Sequence, residues 1–148
     1  MEKQWIIRKA VLKDVSILQE CMHSAYTAYQ DRMGGIRLPP LDLDYADEIS
    51  NFPTWVAEFE GKIVGGITMV FEENCASIAN IAVHPNFQGK GLGGALMRFA
   101  GTTAKKIGYA KLHLATHVLL TENIALYLHL GWSEIARDKV RVYMQKAL

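Results

Sequence analysis

The spacing of apolar residues divides the chain into strands and helices. Trp5 to Arg8 reads as a first strand. Asp14 reads as the N-cap of a helix whose apolar positions, Val15, Leu18, Met22, Ala25 and Tyr29, recur at helical spacing. Gly34-Gly35 and Pro39-Pro40 interrupt that pattern, so 31–43 is expected to be a loop, followed by a short helix capped by Asp44 that stops before Pro53. Trp55 to Phe59 and Ile63 to Phe71 flank a Gly61-Lys62 turn and predict a hairpin. Ala76 to Val83 is a further strand, and Pro85, which lacks an N–H, ends it. On the next helix Leu92, Ala95, Leu96 and Phe99 share one face, Lys105 and Lys106 complement the C-terminal dipole, and Gly108 is the stop. Lys111 to Thr116 is a strand, and Thr121 caps a helix from Glu122 to about Leu130, ended by Gly131. A hairpin of Trp132–Ala136 and Val140–Lys146 closes the chain around Asp138-Lys139.

This order predicts an α/β fold of mixed α+β form: a central mixed, mostly antiparallel sheet of about seven strands with helices on both faces. The strand–helix–strand unit over 76–116 should be parallel and right-handed. No repeat, low-complexity tract or linker interrupts the chain, so residues 1–148 are expected to form a single domain.

Composition narrows the function classes. Half the residues are hydrophobic and 21% are charged, and no apolar run approaches the ~18 residues of a membrane span. Met1 to Trp5 has no apolar core followed by small residues, so a secretory signal is not expected. Cys21 and Cys75 lie far apart, which disfavours a disulfide scaffold and a zinc cluster and suits a reducing cytoplasm, with no metal expected. The net charge of +1 does not argue for nucleic acid. The distribution of charge says more. No acid lies between Asn74 and Thr121, a stretch that carries Lys90, Arg98, Lys105, Lys106 and Lys111, whereas 31–73 holds nine acids against Arg32, Arg37 and Lys62. That asymmetry predicts a polyanion site beside a site for something cationic.

The chemistry centres on Gln88-Gly89-Lys90-Gly91-Leu92-Gly93-Gly94, between a predicted strand and a predicted helix. Free N–H groups and the positive dipole end of a helix bind phosphate there. A P-loop is excluded, because His84 stands where its first glycine belongs and no Ser or Thr follows Lys90. Gly89, Gly91 and Gly94 match a dinucleotide fingerprint in letters, but 95–121 contains no acid for a ribose. The remaining pattern is Q-x-x-G-x-G, met by Gln88, Gly91 and Gly93. With Ile81-Ala82-Val83-His84-Pro85 before it, and Asn123, Ala125, Tyr127 and Gly131-Trp132 after it, the sequence resembles the GNAT acetyltransferase superfamily from about 76 to 146.

The resemblance implies an acetyl-CoA-dependent N-acetyltransferase, with acetyl-CoA as co-substrate. The loop Gln88, Gly89, Lys90, Gly91, Leu92, Gly93 and Gly94 would hold the pyrophosphate. The backbone of Ile81, Ala82 and Val83 would hold the pantetheine arm, with Asn123 and Tyr127 beside it. It also implies that parallel fourth and fifth strands splay apart. Tyr127 stands where the family has its general acid; by spacing alone it reads more readily as a core aromatic beside Ile124 and Leu128. Ser77 stands near where some members carry a glutamate base, so a direct carboxylate base is not expected. His117, or a water held by Asn80, would deprotonate the amine. The acceptor, a small-molecule or peptide amine, should enter over 31–45, flanked by Tyr26, Tyr29, Arg32, Arg37 and Tyr45, with Tyr29 and Tyr45 as pocket walls. Neither nucleic acid nor a membrane is expected as partner, and a homodimer is an option. Two alternatives stand: a non-catalytic acyl-CoA-binding module, and a transferase of a longer acyl group. Cys75 has no evident histidine partner along the chain, so no covalent nucleophile is expected.

Overall fold

The computed structural model describes residues 5–30, 33, 36 and 38–148. Gly34-Gly35, Arg32 and Arg37 lie outside the described residues. Strands β1 (Trp5–Lys9), β2 (Thr54–Phe59), β3 (Lys62–Phe71), β4 (Ala76–Val83), β5 (Lys111–His117), β6 (Ser133–Arg137) and β7 (Arg141–Ala147) form one sheet in the order β1-β2-β3-β4-β5-β7-β6. Every neighbouring pair is antiparallel except β4–β5. A crossover helix, α3 (Leu92–Ile107), joins that parallel pair. The expected mixed, mostly antiparallel sheet with helices on both faces is what forms.

Helices α1 (Val15–Gln30) and α2 (Tyr45–Asn51) cover one face, where Leu18, Met22, Ala25 and Tyr45 pack with Val56, Ile63 and Ala82. On the other face α3 and α4 (Thr121–His129) bury Leu92, Leu96, Met97, Ala100, Ile124 and Tyr127 against Val64, Ile67, Leu112 and Leu114. The three-to-four spacing of these side chains on α1 and α3 selects the buried stripe. No helix among the described residues is long and apolar enough to cross a membrane.

Two predicted caps differ. A 3-10 turn, Leu12–Asp14, precedes α1, and the Asp14 carboxylate turns back to accept from the Val11 N–H at 2.8 Å and to pair with Arg8 at 2.8 Å. The Arg8 guanidinium beside it holds this carboxyl below its ordinary range. Thr121 is the first residue of α4 rather than its cap; Leu120 occupies the cap position and no side chain caps it. Asp44 does cap α2, accepting from the N–H groups of Ala46 and Asp47 at 3.0 and 3.2 Å.

The feature that builds the site is a parting of strands. β4 and β5 are paired at Ala76↔Leu112 and Ser77↔His113 and no further. On its other edge β4 keeps register with β3 through Thr68↔Asn80 and Met69↔Ile78, which leaves Ala79 as an extra residue. Such a bulge bends its strand, and here it falls two residues beyond the last β4–β5 pair.

Candidate active site

The gap opened by that bend is lined by strand-edge groups. The His84 N–H donates to Val64 O at 2.8 Å. This sets the antiparallel alternation, so Asn80 and Ala82 bond to β3 while Ile81 and Val83 present their N–H and C=O groups to the gap. The protein already engages the two carbonyls: Ile81 O accepts from the Tyr26 hydroxyl at 2.8 Å and Val83 O from Gln88 Nε2 at 3.1 Å. Their N–H groups remain directed into the gap.

Two cavities meet there. The first, about 300 Å³, runs between α3, α4 and the end of β4, and takes in Ile81, Ala82, Val83, Gln88, Gly89, Gly91, Gly93, Gly94, Asn123 and Tyr127. Most residues expected to hold the coenzyme are thus brought together. The end expected to hold phosphate is the start of α3. Ala95 makes the first intrahelical bond, to Gly91 O, so the N–H groups of Leu92, Gly93 and Gly94 precede it. Gly89 (φ 76°) and Gly91 (φ 88°) are left-handed, so glycine there is a demand of the turn itself. Gly93 differs: an added Cβ would lie 3.8 Å from Leu126 and 3.9 Å from Val83, ordinary contacts, and its side faces the cavity. Gln88 fastens the loop to β4 through the bond to Val83.

Two loop residues stand elsewhere. The Lys90 ammonium lies over the Phe87 ring at 5.1 Å, outside the cavity lining. The Leu92 side chain is fully buried in the core, so its backbone alone is available at the helix start. The acid-free stretch does not translate into a basic cavity: among the described lining residues there is no Lys or Arg, and Glu122 contributes a carboxylate. What this end offers an anion is helix N–H groups and the dipole.

The second cavity is a groove of about 700 Å³ on the α1 side, bounded by Leu38, Pro39 and Pro40 and floored by β4, β5 and β7. It shares Tyr26, Ile81, Asn123 and Tyr127 with the first. Tyr127 therefore stands at the seam. Burial pushes its phenol well above the ordinary range. Its hydroxyl has no hydrogen-bond partner among the described residues, whereas those of Tyr26 and Tyr29 are engaged. Among the described residues no buried side-chain oxygen or nitrogen lacks a partner, so this hydroxyl opens to the cavity.

The acceptor-side candidates fare unevenly. Asn80 lines the groove. Tyr29 lines the coenzyme-side cavity instead, 3.5 Å from Asn123 Oδ1. Tyr45 lines neither: it is 2% exposed and donates to Pro40 O at 2.7 Å, so the expected pocket wall is a core residue that anchors the 39–41 turn from below. His117 lines the groove, but its Nδ1 accepts from the Leu119 N–H at 3.1 Å. A neutral ring so bonded carries its proton on Nε2 and has no lone pair left to act as a base. The acids of 31–73 scatter: Glu58 pairs with Arg8, Asp44 caps α2, and Glu72 and Glu73 sit at the β3–β4 turn. The exception is Glu48, which the sequence reading missed. It is 8% exposed on α2 and accepts from Asn80 Nδ2 at 2.6 Å. Burial, and then Asp47, push its carboxyl above the ordinary value, while the Asn80 bond opposes the shift. The signal available in sequence was its spacing three residues after Tyr45, one turn on the same helix face.

Comparison with known proteins agrees with this geometry. The model of the family described as "Acetyltransferase (GNAT) family" matches residues 17–132. The chain belongs to the GNAT family. An Escherichia coli protein named uncharacterized N-acetyltransferase YjgM is 35% identical over 85 residues, 55% of this chain and 51% of that protein. The chain thus spans about half the length of the curated relative it matches. The GNAT fold extends over nearly the whole chain. PaiA N-acetyltransferase from Thermoplasma acidophilum, solved in complex with coenzyme A, superimposes with a TM-score of 0.86 at 18% identity, over 99% of this chain and 100% of that one. A GNAT family acetyltransferase from Elizabethkingia anophelis with acetyl-CoA bound gives 0.73 at 17% identity, over 99% and 100%.

Proposed function

We propose that this chain transfers the acetyl group of acetyl-CoA to a primary amine of a small molecule or peptide, by direct attack with both substrates bound. The observation that carries the reading is the Tyr127 hydroxyl, without a hydrogen-bond partner among the described residues and at the seam of two cavities that share Tyr26, Ile81, Asn123 and Tyr127. The residues fit the coenzyme. The N–H groups of Leu92, Gly93 and Gly94 suit the pyrophosphate, and those of Ile81 and Val83 suit the amide carbonyls of the pantetheine arm. The amine enters through the groove and loses a proton to a water held by Asn80, with the Glu48 carboxylate behind it. Attack on the thioester carbonyl then expels the thiolate. The high phenol pKa keeps Tyr127 protonated at neutral pH, and the burial that raises it also raises the basicity of the thiolate that receives the hydrogen bond. A cytoplasmic setting suits the two free cysteines.

The groove bears on the class of amine. Its described lining holds Arg141, His113 and His117 and no Asp or Glu, so the cationic acceptor expected from the acidic 31–73 segment gives way to an amine that also carries a carboxylate. The test is a panel of amines in matched pairs, differing by one carboxylate, with acetyl-CoA and detection of the released thiol. A carboxylate-bearing member should be turned over several-fold better at low salt, with the advantage shrinking as salt screens it beyond about 8–10 Å. A preference for the carboxylate-free member would overturn the charge argument. Coenzyme A binding without amine-dependent thiol release from any member would favour the non-catalytic module.

A further inference from the structure

Cys75 does have a histidine partner, supplied by a strand far away in sequence. Its sulfur lies 3.3 Å from His113 Nδ1 and 3.5 Å from Ser77 Oγ. The pair is held by sheet. Ser77↔His113 is the last register pair before β4 and β5 part, and the Cys75 carbonyl is pinned by the Glu72 N–H at 2.8 Å. Ser77 and His113 both line the acceptor groove, and Cys75 is neither buried nor fully exposed. The other thiol, Cys21, is 2% exposed, and burial pushes it up to about 11.

A thiol within reach of an imidazole is an activated nucleophile. Its electrophile cannot be the coenzyme thioester delivered at the seam: Ile81 lies four residues along β4 from Ser77, roughly 13 Å of strand. A small molecule entering the groove meets no such barrier, and Arg141, His117 and the lack of acids in the described lining favour an anion. We propose that Cys75 and His113 form a second reactive site, which takes a small anionic disulfide from the groove and forms a mixed disulfide.

The step balances. His113 Nδ1 accepts the thiol proton, the Cys75 thiolate attacks one sulfur of the disulfide, and the S–S bond of the small molecule breaks as the new one forms. The Cys75 sulfur is oxidised and the departing sulfur leaves as a thiolate, reduced. Cys75 itself stands just outside the groove lining, so the adduct extends past Ser77 and His113 into that end of the groove, where it narrows the path of an acceptor, and a small thiol reverses it.

The experiment uses the full chain and dithiobisnitrobenzoate, a small dianionic disulfide. One equivalent of thiolate should be released faster than the reagent reacts with free glutathione at the same pH, and mass spectrometry should map the adduct to Cys75. Cys75→Ser should lose the fast phase, and His113→Gln should slow it by about tenfold or more. Thermal melting checks that the His113 variant folds, and His113→Asn serves if it does not. A Cys75 rate no faster than glutathione, or one unchanged in a folded His113 variant, would overturn the proposal. A second arm rests on the acetyl-transfer reading. The modified protein should bind coenzyme A normally, lose amine acetylation and regain it with dithiothreitol, while the activity of Cys75→Ser is indifferent to the reagent. Fast His113-dependent labelling with acetylation intact would keep the thiol site and overturn the assignment of the groove to the acceptor.

Discussion

The two sides of the β4–β5 gap are built in different ways. The coenzyme side comes from two short stretches, 81–97 and 122–127, with α1 residues closing it. The acceptor groove draws on 36, 38–40, 77–81, 113–117, 120 and 140–143, besides the shared Tyr26, Asn123 and Tyr127, and β7 reaches it because it lies beside β5 in the sheet. A phosphate cradle is a loop–helix junction whose N–H groups are contiguous, so its grammar is local. A groove on a sheet face is made by register and by what happens to cover it. One side is thus constrained residue by residue, while the other varies with loops.

Substitutions that touch one side alone test this division, and the seam should give the largest effect. Tyr127→Phe keeps the ring and its packing against Trp132. Single-turnover acetyl transfer should fall by about 10²–10⁴-fold, with coenzyme A affinity nearly unchanged. A rate within about threefold of the parent would remove Tyr127 from the chemistry. Next comes Gly93→Ala, confined to the coenzyme side. The backbone there is ordinary and an alanine suits a helix, so the melting temperature should hold or rise. Coenzyme A binding should nevertheless weaken about tenfold, near 1.4 kcal/mol, by calorimetry. Gly91 is less informative, because its positive φ would strain any replacement. Unchanged affinity in a folded Gly93→Ala protein would move the pyrophosphate elsewhere.

The smallest effect belongs to the acceptor side. The Glu48 carboxyl is raised by burial. A carboxylate whose folded pKa exceeds its unfolded one loses stability as pH climbs through that interval. Glu48→Gln should therefore melt higher than the parent at pH 7, and the gap should close below about pH 4. Acetyl transfer should drop about three- to tenfold at unchanged coenzyme affinity. A lower melting temperature with full activity would make Glu48 purely structural.

The same division explains what could be read along the chain. Gln88, Gly91 and Gly93 lie within six residues and carry their structural context with them, a strand before and a helix after, so the loop was legible. The strand and helix bounds followed from period-2 and period-3.6 patterns, which local sterics and burial enforce. Asp14 and Thr121 misled because a capping residue is recognised by type, whereas Asp14 was claimed by Arg8 across the β1–α1 turn. The acidic 31–73 segment misled because net charge along a chain says nothing about where each side chain points. Tyr45 looked like a pocket wall by its place near a loop, and packing buried it.

The sequence by itself determined the order of elements, the glycine-rich strand–helix junction and the position of Tyr127, since each depends on neighbours within a turn or two. The resemblance implied that β4 and β5 part, but only the tertiary structure decided where they do, along with the Glu48–Asn80 contact and the Cys75–His113 pair. These depend on a bulge at Ala79 and on strand register, which are set when distant segments compete for the same edge and the same buried face. A separation of 32 residues between Glu48 and Asn80, or 38 between Cys75 and His113, leaves no periodic trace.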